Sequence, residues 1–144
     1  VDIHRPPEDD GRRMKMHEVK ACLVAEGWPV EVISESTLRS RFRSGTHVFQ
    51  LLARSDESFV TFAVVPFARV PESPEDAELL LERLLRLNRE LNLAKVSIDD
   101  DGDVVLSVEY RVDHLDPSEV RDAVSVLSFY AEKHYDEIAR YAAP

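Results

Sequence analysis

The stretch LLLERLLRLNRELNLAKVSIDDDGDVVLSVEY, Leu79 to Tyr110, decides the fold. It begins as a helix: Leu80, Leu84, Leu87 and Leu91 recur at three- and four-residue spacing. It ends as a strand, with Val104, Leu106, Val108 and Tyr110 on one side and Val105, Ser107 and Glu109 on the other. Between them Leu93–Ile98 reads as a second strand, joined to the first through Asp99-Asp100-Asp101-Gly102-Asp103. The Asp-Gly pair predicts a type I′ hairpin turn, with positive φ at both central residues. One strand face is apolar and the other mostly polar, which suits an antiparallel sheet covered on one side.

Working outward, Ser73-Pro74 opens the leucine helix, which is expected to run over residues 74–92. Its apolar stripe is Ala77, Leu80, Leu81, Leu84, Leu85, Leu87 and Leu91, wide enough to cover a sheet. Asp116-Pro117-Ser118-Glu119 is a capping box with proline at the first helical position. The helix it starts is expected to reach Tyr141, with Val120, Ala123, Val124, Leu127, Tyr130, Ala131, His134, Tyr135, Ile138 and Tyr141 facing the core.

Upstream, residues 12–26 predict a first helix, stopped by Gly27 and Pro29. Residues 30–35, 47–53 and 58–67 predict strands, the last two antiparallel because the turn between them is short. Residues 36–46 read as either strand or loop; as a strand they put Arg39, Arg41 and Arg43 on one face and Phe42 on the core. Residues 1–11 read as a flexible tail and 12–144 as a single domain. The expected fold class is α+β: an antiparallel sheet with packed helices, in the order α-β-β-β-α-β-β-α.

Composition narrows the function. The net charge is −10: residues 1–71 carry 10 basic and 10 acidic side chains, residues 72–144 carry 8 and 18. Such a field opposes nucleic acid and anionic lipid. No apolar run is long enough to span a bilayer, and a lone Cys22 forms no internal disulfide, so a cytoplasmic location is expected. The Asp99–Asp103 run fails as a calcium loop, because Val104 stands where the loop glycine belongs and Tyr110 where the bidentate Glu belongs. The five histidines share no metal-ligand spacing, and no nucleophile elbow or phosphate-binding glycine motif occurs. The expectation is a non-enzyme with no cofactor and no metal.

Three groups of residues are candidate contacts. Val126 and Phe129 flank the core stripe of the last helix and are assigned to a dimer interface. Phe42, Phe49, Phe59 and Phe62 are assigned to a partner-binding surface, against the commoner alternative that they are core. Arg39, Arg41 and Arg43 form a basic row that could pair with acidic protein or touch nucleic acid.

The segments Leu80–Asn88, Lys95–Asp99 and Asp103–Leu106, with the helix after Leu115-Asp116-Pro117 that holds Tyr130-Ala131-Glu132-Lys133-His134-Tyr135, resemble the YbjN-like bacterial family of sensory transduction regulators. That resemblance implies a fold like the class I chaperones of type III secretion, small acidic proteins that act as homodimers on partner proteins. It implies a chaperone-like or adaptor regulator. A nucleic-acid-associated regulator using Arg39–Arg43 is the alternative.

Overall fold

The computed structural model describes residues 13–144, so the expected tail over 1–11 falls outside it. Helix α1 spans Met16–Ala25 and is followed by strands β1 (Glu31–Ser34), β2 (Thr37–Ser44), β3 (His47–Ser55) and β4 (Phe59–Arg69). Then come α2 (Pro74–Leu87), β5 (Ala94–Ile98), β6 (Asp103–Arg111) and α3 (Pro117–Tyr141). The fold class is α+β as expected. The element order is one strand richer, because the ambiguous segment 36–46 forms β2.

All six strands pair antiparallel, in the order β1-β2-β3-β4-β6-β5. The three helices lie on one face: α3 runs over β4 and β6, with α1 on its β2 side and α2 on its β5 side. The core fills the space between. Leu38, Phe49, Leu51, Val60, Phe62, Leu106 and Val108 point into it from the sheet. Val120, Ala123, Val124, Leu127, Ala131 and Ile138 meet them from α3. Burial of this kind contributes about 25 cal/mol per Å² of apolar surface and dominates stability.

The α3 boundary forms as its sequence dictates. Asp116 Oδ1 accepts from Ser118 N at 2.8 Å, and Asp116 N–H donates to Glu119 Oε1 at 3.0 Å. Gly27, at φ +88°, ends α1: the Trp28 N–H turns back to Leu23 O at 3.0 Å, closing the helix on a left-handed residue. Ser73 stands at the α2 N-cap, but its hydroxyl makes no cap bond.

The β5–β6 turn corrects the type I′ expectation. Only Gly102 has positive φ, at +79°. Asp99 N–H donates to Asp103 O at 3.0 Å, closing a three-residue loop, and Asp99 Oδ1 accepts from the Asp101 and Asp103 N–H groups. A side-chain acceptor replaces the second left-handed residue, and the loop is one residue longer than the tight turn needs.

Candidate functional site

The strands have two faces with different fates. The inner face is core. The outer face carries no element of the described chain, and its composition follows from register. One row across the sheet reads Arg39, Leu52, Ala63, Ser107 and Lys95. Ala63 and Ser107 are small and opposite each other, so their larger neighbours bury them although no helix covers them. Leu52, Val65 and Val105 are half-buried around that pair. The centre of the open face is therefore a shallow apolar trough.

Arg39, Arg41 and Arg43 project from β2 on this same face, at alternate positions, and all three are exposed. Arg39 Nη2 sits 2.7 Å from Glu31 Oε2 across the β1–β2 pair. Arg41 and Arg43 make no ion pair among the described residues. Beside them a recess of about 490 Å³ is lined by Pro29, Arg41, Val48 and Gln50, among others.

The four phenylalanines do not form one surface. Phe49 and Phe62 are fully buried on the inner face, which corrects their assignment to partner binding: the core already covers them. Phe42 is half-buried on that side, stacked on Phe49 at 5.2 Å and edge-on to Trp28 at 5.5 Å. Phe59 alone reaches solvent to a useful extent, 40 % exposed at the end of β4 on the outer face.

In the helix layer Phe129 is 58 % exposed on α3, with Lys133 Nζ 5.8 Å from its ring centre. Val126 is half-buried and packs on the core. A second apolar strip was hidden in the leucine run. Leu81 and Leu85, expected to cover the sheet, are exposed, Leu85 by 72 %. They share a flank of α2 with Asn88. Asn88 Nδ2 donates to Val96 O at 3.1 Å, and Val96 N–H donates to Asn88 Oδ1 at 2.8 Å. The flank thus faces the free edge of the terminal strand β5. The doublets Leu80-Leu81 and Leu84-Leu85 were the available signal, since a stripe two residues wide exceeds what one packed face needs.

Polar contacts add to the apolar packing of α2 and α3. Arg83 Nη2 donates to Glu137 Oε1 at 2.8 Å, and Arg83 Nε donates to the other carboxylate oxygen. That ion pair pushes the Glu137 carboxyl below its ordinary range and the guanidinium above its own. The Tyr130 hydroxyl accepts from Asn92 N–H at 2.8 Å. Buried His134 is pushed below the ordinary histidine range, chiefly by burial. Burial also raises the half-buried Cys22 thiol, which disfavours the reactive thiolate. Among the described residues no three His, Cys, Asp or Glu side chains gather as a metal site. No described helix is long and apolar enough to cross a membrane.

The sequence model of one family, described as "Putative bacterial sensory transduction regulator", matches residues 16–140. The chain belongs to the YbjN family. That match runs from α1 almost to the end of α3. The fold is also that of a chain in the heterodimeric ExoU-SpcU complex from the type III secretion system of Pseudomonas aeruginosa, with a TM-score of 0.58. That match is 21 % identical and covers 86 % of this chain and 97 % of the other. Comparison with curated proteins finds no match.

Proposed function

We propose that this protein is a non-enzymatic, chaperone-like adaptor that binds a partner protein and works as a homodimer. The observation that carries this reading is the set of large apolar side chains left in water on a well-packed helix layer: Leu81, Leu85 and Phe129. Family membership and the likeness to a chain of a secretion-system heterodimer support it.

In place of the Val126 and Phe129 interface expected from the sequence, the proposed dimer seam is the α2 flank, because Val126 packs on the core and Phe129 alone of that pair is exposed; Phe129 is kept as a separate contact for the partner. Around Leu81 and Leu85, α2 carries Glu78 and Glu82 toward its start and Arg86 and Arg89 at and just beyond its end. Glu82 and Arg86 pair with each other within α2 at 3.1 Å, and an antiparallel two-fold contact sets Glu78 of one copy against Arg89 of the other, so the ends of the flank are complementary. The double variant Leu81→Asp/Leu85→Asp should run as a monomer in light scattering, while Phe129→Asp should keep the dimer mass. A wild-type chain of monomer mass at tens of micromolar would remove the homodimer. A tagged chain that retains no protein from bacterial lysate beyond an unrelated acidic control would remove the adaptor reading.

The exposed row Arg39, Arg41 and Arg43 favours a second reading, a nucleic-acid-associated regulator. It requires binding that falls steeply with salt, at a slope near the number of phosphates neutralised.

A further inference from the structure

We infer that the open face of the sheet is a docking trough for an acidic amphipathic helix presented by the partner protein. The inference rests on the adaptor reading for the partner being a protein, and it adds the surface and the partner's chemistry.

Three observations carry it. The centre of the face is apolar: Leu52, Val65 and Val105 surround the small Ala63–Ser107 pair, and Val48 is 50 % exposed at one end. The rim is basic in a chain of net charge −10. Arg39, Arg41, Arg43 and Arg54 lie toward one side of the trough and Lys95 and Arg111 toward the other; the acids of the same face are Glu109, Glu31, which pairs with Arg39, and Asp103, which pairs with Arg69. The excess acid therefore lies on the helix layer and the turns, so the molecule is electrically two-sided. Third, every central strand is paired on both edges, so the face offers no backbone partners. An occupant must satisfy its own backbone hydrogen bonds, which selects a helix over an extended segment.

Size agrees. Strands lie about 4.8 Å apart, so β2 to β5 spans roughly 20 Å, which a helix of about 13 residues crosses at 1.5 Å per residue. An apolar stripe on that helix meets Leu52, Val65 and Val105, and carboxylates on its flanks meet the arginines. Nucleic acid fits less well. The trough would desolvate phosphates against apolar side chains, and Phe59, at one corner, is the aromatic this face offers for stacking.

The test uses the full chain and an 18-residue synthetic peptide with leucine at helical spacing and glutamate elsewhere, followed by fluorescence anisotropy. A lysine-for-glutamate peptide and a 20-nucleotide oligo-dT are the comparison probes. The acidic peptide should bind in preference to both. Arg41→Glu/Arg43→Glu should weaken it by about tenfold or more, since it reverses two rim charges, and Val48→Asp should weaken it as well. Val24→Asp, at an exposed α1 position outside both surfaces, should leave it unchanged, with circular dichroism confirming the fold of each variant. The inference is overturned if the acidic peptide does not bind, if Arg41→Glu/Arg43→Glu binds it as wild type does, or if oligo-dT binds more tightly. It is also overturned if the charge-reversed variant loses self-association instead, because a second copy is then the occupant. Failure of the tagged chain to retain protein from lysate speaks only to the adaptor reading, and the peptide titration only to the trough, so the two failures are distinguishable.

Discussion

His134 lies on the core side of α3, beside the Tyr130 ring at 5.8 Å, with an Nε2 that has no hydrogen-bond partner in the described chain. Burial disfavours its charged form, Lys133 and Arg83 add to that, and Glu90 and Glu137 oppose it. The folded-state value is thus below the unfolded one, near 6.5. In the window below 6.5 the unfolded chain binds the proton first, so stability falls as pH drops and levels off below the folded-state value. His134→Phe should flatten the change in urea midpoint between pH 7 and pH 5; an unchanged slope would assign it to other groups. Asn88 shows a different use of one side chain. Its amide supplies the donor and acceptor that a neighbouring strand would have given Val96. Asn88→Ala should cost about 1–3 kcal/mol in urea unfolding, the penalty for buried backbone groups left unpaired. It should also raise aggregation, because the β5 edge is then bare.

At the scale of elements, local signals were legible and lateral ones were not. The Asp116 box needs only four consecutive residues, and α3 starts and ends where those residues and the stripe require. The two hydrogen bonds that Asp116 accepts from the next turn hold its carboxyl below the ordinary range. That stabilisation is present above the unfolded value of 3.8 and is lost as pH falls through the folded one. Asp116→Ala should therefore lower the urea midpoint at pH 7, and the gap from wild type should narrow as the pH falls below 3.8. Strand β2 was ambiguous because Ser40 and Ser44 alternate with Leu38 and Phe42 on its inner side, which dilutes the apolar signal opposite the arginines. Leu81 and Leu85 were misread for a different reason. Periodicity reports which side of a helix is apolar, but not how far its neighbours extend. Helix α2 packs over the terminal strand, so part of its stripe overhangs the sheet. The phenylalanines failed likewise: Phe49 and Phe62 lie on the inner parity of their strands, and parity relative to the helices is fixed only once the layers assemble.

For the whole molecule, the family was legible from motif order, and the surfaces were not, because each gathers residues distant in sequence. Arg41, Leu52, Ala63 and Val105 come from four strands. The arrangement divides labour by face: helices above, an acidic exterior on that side, a basic trough below. Dimerisation through α2 and docking on the sheet would then be independent, and the Leu81→Asp/Leu85→Asp monomer should still take the acidic peptide.

The Ala63–Ser107 pair has a consequence for how such a protein changes over generations. The two residues sit at the floor of the trough, with their side chains turned away from the core. A larger residue at either position reshapes the trough without disturbing the packing beneath α3. On the docking proposal, the residues that would meet a partner and the residues that hold the fold alternate along the same strands. Under that proposal, point substitution at a few outer-face positions would change which partner is accepted while the core packing stays as it is.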